Sequence, residues 1–96
     1  MVTIKAIIKR YSRNGEKTGW SYVDISAAQA NKIKADYKRS YKVKGFIDEL
    51  AISQIAMIPM GGGTFIIPIK AAIRKKIGKE EGDKVVLKLE EDLKEY

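Results

Sequence analysis

The chain has 96 residues, 45% hydrophobic and 32% charged, with 19 Lys+Arg against 12 Asp+Glu and a net charge of +7. That length fits one domain, which buries only about two-thirds of the surface exposed by the unfolded chain. Neither histidine nor cysteine occurs, which excludes Ser-His-Asp and Cys-His catalysis, disulfides, thiol redox chemistry and the usual zinc, copper and haem sites.

These absences point to a binding or structural role rather than an enzyme, with no cofactor and no metal. The first ten residues interleave lysines with apolar residues and contain no signal-peptide core, so a cytoplasmic location is expected.

Val2, Ile4, Ala6 and Ile8 alternate with polar residues, the period of a strand, here expected over 2–10. Asn14-Gly15 is a hairpin turn signal, and the β-branched and aromatic run WSYVDI places strand two at about 20–25. Ser26-Ala-Ala-Gln29 has the capping-box pattern, opening a helix expected over 27–38 with Ala30, Ile33 and Tyr37 on its apolar face. Alternation resumes in YKVKGFID, and Asp48-Glu49 turns into LAISQIAMI, giving paired strands at 41–47 and 50–58.

Residues Leu50 to Ile69 carry no charge over twenty positions, the length of a membrane span. Pro59, Gly61, Gly62, Gly63 and Pro68 are hostile to such a helix, so the segment is read as two buried strands about a glycine loop, with no membrane partner. A second helix is expected over 69–77, ended by Gly78. Lys79 to Asp83 then turn into a last strand with Val85, Leu87 and Leu89 on one face, and 91–96 form a frayed acidic tail.

The two strand-helix-strand units resemble each other. Residues 22–33 set over 66–77 match at Ile25/Ile69, Ala27/Ala71, Ala28/Ala72, Lys32/Lys76 and Ile33/Ile77, and Lys42-Val43 then falls on Lys84-Val85. An internal pseudo-twofold follows, with the helices at related places on a barrel-like sheet.

The runs GWSYVDIS, YKVKGFID and IPMGGGTFIIPIKAAIRKKIGKEEGDKVVLKLEED closely resemble the bacterial family called domain of unknown function 1905, over nearly the whole chain. The resemblance implies a mainly β fold with two short helices: a small, helix-capped double-split β-barrel of about six strands. The C-terminal half also looks like an AbrB/MazE-like half-domain, with a strand ending at Pro68, a basic helix, and Gly82-Asp83 before the last strand. That likeness implies nucleic-acid binding, although AbrB proteins use a composite dimer surface and here both barrel halves come from one chain.

Basic residues are the abundant chemistry. Lys5 and Lys9 share one side of strand one, Lys42 and Lys44 one side of the third strand, and Lys38 and Arg39 close the first helix. If the strands share a face, these cations suit a phosphate backbone; otherwise they are a solvated, aggregation-resistant exterior. Arg74, Lys75 and Lys76 either contact an anion or offset the negative end of the second helix. Trp20 and Tyr22 either stack on a ligand or pack in the core, and Gly61, Gly62 and Gly63 form either a ligand-facing loop or a plain hairpin turn.

Two functions therefore stand at this point. One is a non-catalytic binding module for a protein or small ligand, as monomer or homodimer. The other is an AbrB-like nucleic-acid-binding regulator. The positive charge is local: residues 1–47 hold eleven basic and three acidic groups, residues 48–96 eight and nine.

Overall fold

A computed structural model describes residues 1–13 and 16–93, with the side chains of residues 11–20 outside that description. The expected Asn14-Gly15 turn, the Arg13 and Trp20 side chains and residues 94–96 therefore lie outside the described residues.

The elements run β1 (Val2–Ile7), β2 (Lys9–Arg13), β3 (Glu16–Ile25), α1 (Ala27–Ile33), β4 (Tyr41–Ile47), β5 (Leu50–Gly61), β6 (Thr64–Pro68), α2 (Ala71–Ile77) and β7 (Lys84–Glu91). All the strands join one antiparallel sheet in the order β1-β7-β4-β5-β6-β3-β2. Its two outer strands, β1 and β2, are consecutive in the chain and separated only by Ile8. The sheet therefore closes on itself, and its seven strands amount to six barrel staves, one of them bent.

The bend replaces the continuous strand expected over 2–10. Ile8 is 1% exposed, its amide donates to the Asp83 carbonyl at 3.0 Å, and its carbonyl accepts the Gly82 amide at 2.8 Å. The residue leaves the ladder to fill the core, while its backbone bonds to the turn before β7.

β5 mirrors this behaviour. Its twelve residues pair with β4 at one end and β6 at the other, bending near Gln54, whose φ is +53°. The equivalence extends to register. Val23 lies opposite Ile67, the residue it matches in the internal alignment, and Phe46 lies opposite Lys88, its match in the shifted second segment. A residue can pair with its own equivalent only where a twofold axis crosses the ladder, so the pseudo-twofold passes through both pairs.

The helices obey the repeat as well, since both span seven residues at matching positions. α1 opens with the expected capping box: Ser26 Oγ accepts the Gln29 amide at 3.1 Å and Gln29 Oε1 accepts the Ser26 amide at 2.9 Å. It ends at Ile33, five residues short of expectation. Lys34 turns extended to place its ammonium against Glu91, and Asp36, in left-handed geometry, donates its amide to Asn31 Oδ1. Lys38 and Arg39 accordingly belong to the connection after α1.

α2 begins at Ala71 because Ile69 is buried and its amide donates to the Ser21 carbonyl at 2.8 Å. The charge-free stretch forms β5 and β6, with strand continuing through Pro59 to Gly61 and the turn narrowed to Gly62-Gly63. No helix of the described residues is long and apolar enough to cross a membrane.

One cluster fills the barrel, including Ile4, Ile8, Val23, Ile25, Val43, Ile47, Met57, Phe65, Ile67, Leu87 and Leu89. At 25 cal/mol per Å², each such side chain contributes about 1.5–3 kcal/mol on burial. The last strand runs through Glu91, and Asp92 is fastened by its amide to the Lys42 carbonyl at 2.9 Å and by its carboxylate to the Gln54 amide at 2.9 Å. The expected fraying therefore does not begin at residue 91.

Candidate functional site

Alternation along β1, β7 and β4 sends the apolar residues of each strand inward and leaves a row of lysines outside. On β7, Val85, Leu87 and Leu89 are buried, while Lys84 and Lys88 are exposed and Val86 half-buried. Register then assembles the outer face: Lys5 lies beside Val86, Thr3 and Phe46 flank Lys88, and Lys44 lies beside Glu90. Lys42 stands one step beyond Lys44 on the same side of β4.

Diagonal neighbours across a ladder are about 7–8 Å apart, and Lys84 and Lys88 are the two diagonal neighbours of Lys5. None of Lys5, Lys42, Lys44, Lys84 and Lys88 forms an ion pair among the described residues. Apolar groups interrupt the cations, with Ile7 48% and Phe46 38% exposed. Because β7 and β4 each have a strand on both sides, edge protection does not account for their lysines.

Two hollows adjoin this face and share Val86. A cleft of about 700 Å³ is lined by Asp48, Glu49, Leu50, Lys76, Ile77, Val86 and Lys88. A second, of about 420 Å³, takes in Lys5, Ile7, Lys79 and Lys84. Lys79 belongs to the ground between them: its ammonium is 3.0 Å from Asp48 Oδ2 and donates to the Lys84 carbonyl at 2.6 Å.

Burial pushes the Asp48 carboxyl up, but the Val86 amide and the Lys79 ammonium outweigh it, so the group titrates below its ordinary value of 3.8. It remains charged and acts as a fixed acceptor. No group of three or more metal-ligating side chains is close enough to hold a metal ion among the described residues.

The other sequence candidates are elsewhere. Lys9 does point outward, but on the opposite half of the barrel, opposite Tyr22 on β3. Its ammonium bonds Asp24 at 2.5 Å, and that bond and the Asp24 charge raise its pKa above 10.5. Lys38 and Arg39 are exposed in the connection between α1 and β4, outside the strand ladder that gathers the lysines.

Arg74 is folded back over the barrel, donating from Nη1 to the Ile69 carbonyl at 2.6 Å with Nε 3.3 Å from Glu80, whereas Lys75 is exposed. Tyr22 is half-buried. Gly62 and Gly63, with φ of +63° and +82°, form a tight hairpin turn closed by Thr64 Oγ1 donating to the Gly61 carbonyl at 2.8 Å. A Cβ on Gly63 would come within 3.3 Å of Ala27. These features give the glycines a structural use in the β5–β6 turn.

Lys84, Lys88, Phe46 and Val86 were not among the sequence candidates. The signal was present in KVVLKLE, where fixing Val85, Leu87 and Leu89 inward puts Lys84, Val86 and Lys88 outward. Their junction with Lys5 and Phe46 needs the strand order, which alternation does not contain.

No curated protein and no solved structure gives a match to this chain. The model of the family described as domain of unknown function (DUF1905) matches residues 5–89. With nearly all of the barrel inside that match, the chain belongs to the DUF1905 family.

Proposed function

We propose that the chain is a non-catalytic binding module that takes an anionic partner on the outer face of β1, β7 and β4. The observation that carries this reading is the grouping of Lys5, Lys44, Lys84 and Lys88 on adjacent strands, none of them in an ion pair among the described residues although Glu90 lies beside Lys44. Clustered like charges repel, and the arrangement costs stability unless an anion joins it. The apolar Phe46, Val86 and Ile7 between them add contact area at the same place.

The test is titration of the intact chain with linear inorganic polyphosphate across a fourfold range of salt. Four lysines on a flexible polyanion give a log-log slope near −2.8, about a 50-fold loss of affinity over that range. Replacing the four lysines by glutamine should abolish binding. Lys32, Lys38, Arg39 and Lys75→Gln, which removes equal charge elsewhere, should lower affinity only a few-fold. Equal losses in both variants, or no binding of the unaltered chain at low salt, overturn the reading.

A further inference from the structure

We infer that the anionic partner is a single-stranded nucleic acid, with a base stacked on Phe46 and its flanking phosphates held by Lys44, Lys88, Lys5 and Lys84. The inference rests on the anion-binding reading and adds an aromatic contact to it.

Phe46 is the observation that lysines alone do not explain. Its row across the sheet reads Thr3, Lys88, Phe46, Ala51, so the neighbour on the β5 side is a single methyl group. Phe46 is 38% exposed, although β4 is an interior strand whose inward residues Val43 and Ile47 already fill the core. An aromatic side chain with alanine on one side and Lys88 on the other, on a sheet face where lysines outnumber the single acid Glu90, presents a π-surface beside phosphate-binding charges.

Single strands are held by this combination, a basic track with aromatic platforms, and one stacked base contributes about 1–3 kcal/mol. A duplex keeps its base faces stacked inside and offers phosphates only, while a ring-free polyanion engages the lysines and leaves Phe46 unused. From Lys84 to the level of Lys44 the face runs about 20 Å along the strands, room for roughly four nucleotides, the low end of known single-strand site sizes.

The experiment measures fluorescence anisotropy of labelled oligo(dT) and oligo(rU) of about 15 nucleotides, a matched duplex, and competition by polyphosphate, all at low salt. Either oligonucleotide, or both, should bind at least tenfold more tightly than duplex and polyphosphate, and comparing the two shows whether DNA or RNA is preferred. Phe46→Ala should weaken the oligonucleotide about 5- to 160-fold and polyphosphate less than about twofold. Phe46→Trp, which keeps a π-face, should restore oligonucleotide binding and shows that position 46 accepts substitution in a folded chain.

Equal affinity for oligonucleotide and polyphosphate, a preference for duplex, or an equal effect of Phe46→Ala on both polyanions overturns the inference. The anion-binding surface survives those outcomes. Failure of every polyanion to bind removes both.

Discussion

Asp48 and Val86 exchange two hydrogen bonds beyond the end of the β4–β7 ladder. The Asp48 amide donates to the Val86 carbonyl at 2.7 Å, and the Val86 amide donates to Asp48 Oδ1 at 3.0 Å. The backbone of β4 turns away here, with Asp48 at φ +53°, and a side-chain oxygen takes the place that a strand carbonyl would have filled. Oδ2 is meanwhile occupied by Lys79, so one carboxylate ties the β4–β5 turn to β7 and to the segment after α2.

Asp48→Ala should therefore destabilise the fold by about 2–3 kcal/mol, since it leaves the half-buried Val86 amide without its charged acceptor and puts alanine in a left-handed conformation. Asp48→Asn, which tolerates that conformation and keeps an acceptor, should cost about 1 kcal/mol. Urea denaturation of the two variants checks the order, and an alanine variant as stable as the parent would refute the tie.

The same carboxylate should contribute to acid sensitivity. Its folded pKa is depressed below 3.8, so its stabilisation is fully present above the unfolded value and is lost as pH falls through the folded one. Stability measured from pH 5 downward should thus decline less steeply below about pH 4 in Asp48→Asn than in the parent. Identical acid limbs would contradict that assignment.

Gly45 allows β4 to pass close to β7. Its φ is +142°, and a Cβ there would lie 1.8 Å from the Lys88 carbonyl oxygen, a backbone atom that cannot swing aside. Gly45→Ala should cost about 3 kcal/mol or more and should disturb the Phe46–Lys88 pair beside it. Circular dichroism melting measures this, and a change in Tm of less than a few degrees would count against the close approach.

Tyr41 presents the opposite case, a group whose removal should help. Its hydroxyl is buried without a hydrogen-bond partner among the described residues, while its ring meets Phe65 edge-on at 5.6 Å. Tyr41→Phe keeps the ring contact and discards the orphan hydroxyl, so it should stabilise by about 1 kcal/mol, raising Tm by roughly 4–8 °C.

Alkaline pH gives a second readout of the same residue. Burial, followed by the charge of Glu91, pushes the Tyr41 hydroxyl from 10.0 up to about 12. The unfolded chain therefore ionises this hydroxyl before the folded protein does, and stability falls as pH rises from 10 through 12. Tyr41→Phe should show a shallower alkaline decline over that interval, and a matching decline in both proteins would reject the assignment.

Much of the fold is legible in local pattern. The period of two in residues 2–8, 41–47 and 84–90, the capping box at Ser26-Gln29 and the glycine turn at 61–63 each operate over a few residues, and each produces the expected kind of element. Element lengths were less legible where distant partners intervene. Lys34 leaves α1 to reach Glu91, 57 positions away, and Ile8 leaves its strand for the core.

The sequence by itself determined that this is a histidine- and cysteine-free, mainly β chain built from two similar strand-helix-strand units, because composition and short-range periodicity need no partner to be read. Only the tertiary structure decided which cations share a surface. Strand order put β7 between β1 and β4, gathering Lys5, Lys44, Lys84 and Lys88 around Phe46, while acids close in space claimed Lys9, Lys79 and Arg74. Alternation tells each strand which side faces out, but the neighbours on that side are chosen by antiparallel pairing between segments more than 35 residues apart.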